Sequence, residues 1–169
     1  MSKNKTIFLD RDGVINDNSV AYYVYKVEDF IINPGVIESL KSFQSKGYQL
    51  IVITNQGGIA KKQYDNQDVE LLNRHLEEEL NNEGIKLKDI LHCPHHSNIS
   101  KCLCRKPGTL LFEKAIAKYN VDTSASFMIG DSDRDVVASE KVGVKGIKVE
   151  ANNNLFEAIR KTEFSYLVD

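Results

Sequence analysis

The stretch Ile7-Phe8-Leu9-Asp10-Arg11-Asp12-Gly13-Val14-Ile15-Asn16 decides the fold. An apolar run of this length reads as a buried strand, and Gly13 breaks it just after two acids. Asp10 and Asp12 therefore stand at the strand's carboxyl end, the edge at which open α/β sheets bind ligands. Side chains alternate along extended backbone, so the two carboxylates are expected on one side, a few ångströms apart. Carboxylates that close repel unless a cation or a shared proton relieves them. Such a pair suits nucleophilic attack followed by acid–base help, although turns favour Asp and Gly for structural reasons alone.

Outward from this stretch, strand-like runs at 5–9, 48–53, 125–129 and 144–149, with a weaker one at 89–92, alternate with helical periodicity. Pro34-Gly35 opens a helix with Val36, Ile37, Leu40 and Phe43 on one face. A longer helix begins near Asp65 and aligns Val69, Leu72, Leu76 and Leu80. Pro107 suits the first turn of a third, carrying Leu110, Leu111, Ala115 and Ile116, and two more are expected near Asp133 and Asn153. This alternation predicts a three-layer α/β/α, Rossmann-like, mostly parallel sheet in one domain spanning 1–169. Segments 16–30 and 92–106 fit neither period and are expected to overhang the active edge.

The chain has 169 residues, with 22 Lys and Arg against 24 Asp and Glu. That balance argues against nucleic acid or an anionic membrane as partner. No apolar stretch has membrane-spanning length, and the amino end lacks a signal-peptide core, so a cytoplasmic location is expected. The oligomeric state is not legible.

Three further constellations lie at strand ends. Thr54-Asn55-Gln56-Gly57-Gly58 follows a buried strand with hydroxyl, amide and backbone donors suited to phosphate oxygens, or to a hydrogen-bonded turn. Asp131-Ser132-Asp133-Arg134-Asp135 follows another. A calcium loop is excluded there because Val136 and Val142 stand where Gly and Glu are needed. Asp131 reads as a divalent-metal ligand, Asp133 equally as a helix cap or a ligand, and Asp135 as a first-turn acid. Arg105-Lys106 precedes a helix, where a cation adds to the helix's own preference for anions.

All three cysteines fall between 93 and 104. Cys93, His95, Cys102 and Cys104 make a Cys₃His set for structural Zn²⁺, with no open coordination position. His95 is preferred because it pairs with Cys93 across one residue, as Cys102 pairs with Cys104. His92 and His96 are left beside the ion or facing solvent.

In order, these motifs resemble the haloacid dehalogenase superfamily of phosphohydrolases. Asp10-Arg11-Asp12-Gly13 matches its first motif, Thr54 the second, Lys106 the third, and Gly130-Asp131 through Asp135 the fourth. The fuller strings F-L-D-R-D-G-V-I-N, T-N-Q-G-G-I-A, C-P-H-H with C-x-C-R-K-P, and I-G-D-S-D-R-D resemble the branch that holds sugar-phosphate and histidinol-phosphate phosphatases. The resemblance implies that Asp10 attacks phosphorus and that Asp12 is the acid–base. It implies that Thr54 and Lys106 hold the phosphoryl group, while Asn55, Gln56 and Arg105 bind substrate. Mg²⁺ would be held by Asp10, the Asp12 backbone carbonyl and Asp131. The implied substrate is a small sugar or amino-alcohol phosphate. D-glycero-D-manno-heptose 1,7-bisphosphate, cleaved at the 7-phosphate, is preferred, with histidinol phosphate the alternative suggested by the short zinc loop.

The intervals between motifs are too short for a large cap domain. Segment 16–30, with Tyr22, Tyr23 and Tyr25, and the zinc loop are left as low walls. A DNA-end 3′-phosphatase is disfavoured by the missing basic surplus. An inactive zinc-stabilised binding module is disfavoured because Asp10, Asp12, Lys106 and Asp131 are all present.

Overall fold

The computed structural model describes residues 3–169. Five strands, β1 (Thr6–Leu9), β2 (Gln49–Asn55), β3 (Leu87–Cys93), β4 (Phe127–Gly130) and β5 (Lys145–Lys148), form one parallel sheet in the order β3-β2-β1-β4-β5. Five helices connect and follow them: α1 (Val36–Ser45), α2 (Asn66–Asn82), α3 (Leu110–Tyr119), α4 (Asp133–Glu140) and α5 (Leu155–Arg160).

Strand alternation sorts the core into two layers. Ile7, Leu9, Leu50, Val52 and Ile129 face one side, where Leu40 and Phe43 of α1, Leu72 and Leu76 of α2 and Leu155 and Ile159 of α5 cover them. Phe8, Ile51, Ile53 and Met128 face the other, against Leu111, Phe112 and Ala115 of α3 and Ala138 of α4. Parallel crossovers are right-handed, so a chain that builds outward from β1 in both directions must place its helices on opposite faces. The order reverses between β1 and β4, and the crevice at their carboxyl ends is the topological switch point. Asp10 follows β1 and Asp131 follows β4, which makes them neighbours across that crevice.

Where elements begin differs in places from the sequence expectation. The strand expected over 125–129 starts at Phe127, because Thr123–Ala125 forms a 3₁₀ turn capped by the Asp122 side chain. The weak run at 89–92 is part of the longer edge strand β3. Pro107 is not in the first turn of a helix. The Lys106–Pro107 peptide is cis, and α3 starts at Leu110, after a turn in which Gly108 donates to the Arg105 carbonyl. A Cβ on Gly108 would lie 2.3 Å from the Leu103 carbonyl oxygen, so that turn requires glycine. Among the described residues, no helix is long and apolar enough to cross a membrane.

Candidate active site

Three carboxylates converge at the switch point. One oxygen each from Asp10, Asp131 and Asp135 lies within 4.8 Å of the others. Asp10 is delivered by the end of β1 and Asp131 by the end of β4. Asp135 comes from the first turn of α4, where its other oxygen accepts from the Ser132 backbone N–H and completes a capping box. The fully buried Asp135 is thus both cap and site residue. Asp133 is neither cap nor ligand: its exposed carboxylate pairs with Lys148 at 2.7 Å, and Ser132 caps α4.

Lys106 lies under this cluster with only 1 % of its side chain exposed. Its ammonium is 3.0 Å from Asp10 Oδ1 and 2.7 Å from Asp135 Oδ1, and it donates to the Ile53 carbonyl at 2.6 Å. Burial works to lower its pKa, and the two carboxylates outweigh burial and hold it above the ordinary lysine value. One cation does not balance three acids. Burial pushes the Asp10 carboxyl up to about 7, with Asp135, Asp131 and Asp12 adding to the rise and Lys106 opposing it. Asp131 is raised as well, first by burial and then by Asp135. The pocket therefore favours a further positive charge.

Two glycines make this approach feasible. A Cβ on Gly13 would stand 2.2 Å from Asp131 Oδ2, and one on Gly130 would stand 2.3 Å from Asp135 Cβ. Gly13 also holds φ +89°, which side chains disfavour by about 1–2 kcal/mol. Gly13→Ala should consequently displace Asp131, lowering turnover at this site about 100-fold. Turnover retained at the unsubstituted rate in a steady-state assay would refute the role given to this contact.

Asp12 occupies a separate network. Its carboxylate accepts from the Arg11 guanidinium at 3.2–3.3 Å, Asn16 at 3.1 Å and Gln56 Nε2 at 2.9 Å. Gln56 Nε2 also donates to Thr54 Oγ1 at 2.9 Å, while the buried Tyr64 hydroxyl donates to Gln56 Oε1 at 2.6 Å. Tyr64 thereby orients the Gln56 amide, and Thr54 keeps its own hydroxyl proton to donate elsewhere. The ring sits where a Cβ on Gly58 would be, 2.1 Å from Tyr64 Cε1. Tyr23 and Tyr25 pack on Tyr64, the latter stacked at 5.0 Å, so segment 16–30 leans on this network. Tyr22 is exposed and touches only the rim, through Tyr23.

Asn55 faces the third-motif lysine. Its Nδ2 donates to the Lys106 carbonyl at 3.2 Å and its Oδ1 accepts from the Lys106 N–H at 3.0 Å. Asn55 and Gln56, expected to bind substrate, thus direct their amides at protein partners. Arg105 lies over Gly57, and its Nη1 donates to the His95 carbonyl at 3.1 Å.

The cysteine-rich loop gathers Cys93, His95, Cys102 and Cys104, with all four donor atoms within 4.8 Å. Cys93 Sγ lies 3.8 Å from Cys102 Sγ and 3.1 Å from Cys104 Sγ. His95 Nδ1 lies 3.2 Å from Cys104 Sγ and 3.6 Å from Cys93 Sγ. Burial and the Cys104 thiol push the Cys93 thiol well above the ordinary range, a condition that a cation would reverse. The other histidines lie outside the group: His92 Nε2 meets Asn66 at 3.1 Å, and His96 Nδ1 accepts from the Asn98 N–H.

Sequence reading passed over Arg11, the largest fully buried side chain. It ties Asp12 to Asn73 on α2 and to the Val24 carbonyl. Its signal was an arginine inside an apolar run between two acids, a place where a charge persists only if paired.

A parallel sheet with acids at its switch-point ends and a buried lysine beneath them is the arrangement implied by the resemblance to haloacid dehalogenase-like hydrolases. A family model described as HAD-hydrolase-like matches residues 103–166. A D-glycero-alpha-D-manno-heptose-1,7-bisphosphate 7-phosphatase of Photorhabdus laumondii is 40 % identical over 85 % of this chain and 80 % of its own. A D-glycero-beta-D-manno-heptose-1,7-bisphosphate 7-phosphatase of Helicobacter pylori is 40 % identical over 92 % of this chain and 84 % of its own. Among solved structures, the D,D-heptose 1,7-bisphosphate phosphatase of B. bronchiseptica, complexed with magnesium and phosphate, superposes with a TM-score of 0.81. It is 27 % identical and covers 94 % of this chain and 87 % of its own. The chain belongs to the family of the D-glycero-D-manno-heptose-1,7-bisphosphate 7-phosphatases.

Proposed function

We propose that this protein hydrolyses a phosphate monoester through an aspartyl-phosphate intermediate, removing the 7-phosphate of D-glycero-D-manno-heptose 1,7-bisphosphate. The observation that carries the reaction type is the convergence of Asp10, Asp131 and Asp135 on the buried Lys106. Phosphoryl transfer asks the protein mainly for positioning and charge compensation, and this arrangement supplies both.

Asp10 is the nucleophile, its carboxylate oxygen forming a bond to phosphorus as the sugar oxygen leaves. Asp12 protonates that alkoxide and then takes a proton from the water that hydrolyses the aspartyl phosphate. Thr54, whose oxygen already accepts from Gln56, donates its hydroxyl to the phosphoryl group, and the Lys106 ammonium offsets its charge. Asn55 clamps the Lys106 backbone, and Arg105, which lies over Gly57, binds substrate.

The excess of acid over base and the convergence of three carboxylate oxygens fit Mg²⁺, a hard cation that takes oxygen ligands. Asp10, Asp131 and the Asp12 carbonyl would hold it, with Asp135 beside them. When bound it supplies the positive charge that lets an anionic phosphate enter among carboxylates. Tetrahedral Zn–S bonds of about 2.3 Å set sulfur atoms roughly 3.7 Å apart. Cys93 and Cys102 stand at that spacing and all four donor atoms lie within 4.8 Å of one another, so Cys93, His95, Cys102 and Cys104 would hold Zn²⁺ with no position left for substrate. Its part is structural, securing the loop that carries Arg105 and Lys106. Three free thiols suit a reducing compartment, which supports a cytoplasmic site of action.

One observation favours a second substrate. Only six residues separate His95 from Cys102, a short zinc loop of the kind expected for histidinol-phosphate phosphatases. Turnover with Mg²⁺ on both heptose bisphosphate anomers and on histidinol phosphate decides between them. The heptose bisphosphate should have the larger kcat/KM, and a higher value for histidinol phosphate would reverse the assignment.

A further inference from the structure

Gln56 touches two groups that the proposed reaction uses. Its Nε2 lies 2.9 Å from Asp12 Oδ2 and 2.9 Å from Thr54 Oγ1, and it donates to both. The other side chains on Asp12 have one way to face it. The Arg11 guanidinium carries donors alone, and Asn16 is fixed by a second donation to the Asp17 carbonyl. The Gln56 amide carries an acceptor beside its donors, and a half-turn of its terminal bond exchanges them. Turned so, Gln56 would set Oε1 against Asp12 and Thr54. The Thr54 hydroxyl would then donate to that oxygen, and so would a protonated Asp12. The first of these protons is needed at the phosphoryl group, the second at the leaving alkoxide. Gln56 Oε1 instead accepts from the Tyr64 hydroxyl at 2.6 Å, and among the described residues no other donor reaches it.

We propose that Tyr64 is a positioning residue for this reaction, holding the Gln56 amide so that Thr54 and Asp12 keep their protons for the substrate. This rests on the hydrolytic reading above. Tyr64 lies eight residues beyond Gln56 and outside the four motifs. Its hydroxyl is a constant donor, because burial and the Asp12 charge hold the phenol above the ordinary tyrosine range. Turning the amide would strand that buried hydroxyl proton without an acceptor, which keeps Gln56 as it stands. The ring is placed as firmly as the hydroxyl. It is 7 % exposed, takes the space that a Cβ on Gly58 would need, and packs against Tyr23 and Tyr25.

Phenylalanine keeps the ring contacts and removes the hydroxyl alone, so the test is Tyr64→Phe in the zinc- and magnesium-loaded enzyme. Its kcat on heptose 1,7-bisphosphate should fall about tenfold, with KM within about twofold and the thermal midpoint unchanged. In a Gln56→Ala background the same substitution should have no further effect, because the amide it orients is gone. The loss should also be smaller on 4-nitrophenyl phosphate, whose leaving group needs no proton from Asp12. Tyr64→Phe turning over the bisphosphate at the wild-type rate would overturn the assignment. An equal loss in both backgrounds, or on both esters, would overturn it too. Each of these results leaves the phosphatase reading standing. A wild type that hydrolyses neither ester would overturn that reading, and the role of Tyr64 with it.

Discussion

Asp10→Asn abolishes phosphate release, lowering kcat by about 10⁴-fold or more, because an amide cannot form the phosphoryl bond. The same substitution has the opposite effect on the metal-free fold. Asp10 is buried among Asp12, Asp131 and Asp135, which raises its carboxyl from 3.8 to about 7. Folded protein therefore holds that proton more tightly than unfolded chain does. This contribution to stability is complete below about pH 4 and is lost as pH rises through 7. Asparagine carries no charge and suffers no such loss. In EDTA, Asp10→Asn should gain thermal stability over the wild type as pH is raised from 5 to 8. With Mg²⁺ present the wild type should recover most of that difference, since the ion relieves the same repulsion. Equal unfolding midpoints for the two proteins across this pH range would show that Asp10 is not under the strain described.

Cys93→Ser has the second large effect. Cys93 ends β3, is fully buried, and lies within 3.8 Å of both other sulfurs. Losing one of four ligands should release the ion, and the folding free energy tied to a structural zinc goes with it. The loop it secures carries Arg105 and Lys106, and Lys106 is held on its other side through Asn55, the Ile53 carbonyl and the carboxylates. Misplacing such a group by an ångström costs on the order of 100-fold in rate. Purified wild type should contain one zinc per chain by elemental analysis, and Cys93→Ser none. Its kcat should fall about 100-fold, with a lower unfolding midpoint. A zinc-free variant that turns over at the wild-type rate would remove the loop from the mechanism.

These effects were unequally legible beforehand. The strand-end acids, Thr54, Lys106 and the cysteine cluster could be read because each lies within a short motif next to an apolar run. Asp135 reads as a first-turn acid within the fourth motif, and the sequence marks its place on α4 but not which way its second oxygen faces. The resemblance implies Asn55 and Gln56 at the substrate, whereas their place after a strand suits a phosphate or a hydrogen-bonded turn alike. The structure spends their amides on Lys106, Asp12 and Thr54, and residue type does not choose between those partners. Pro107 was placed in a helix by a sound positional preference, which a turn at Gly108 overrode through its backbone contact with Leu103.

By itself, the sequence determined the parallel α/β architecture and the family, and it singled out Cys93, His95, Cys102 and Cys104 as one group. The architecture follows from periodicity, the cysteine group from residues within about a dozen positions, and the family from short motifs in order along the chain. Tertiary structure alone decided that Lys106 bridges Asp10 and Asp135, and that Tyr64 orients Gln56 against Asp12. It likewise decided that Arg11 is buried. The reason is physical: a local pattern sets which elements form, whereas the meeting of distant side chains depends on strand order and crossover hand. The direction of each Cβ then decides which of those side chains touch.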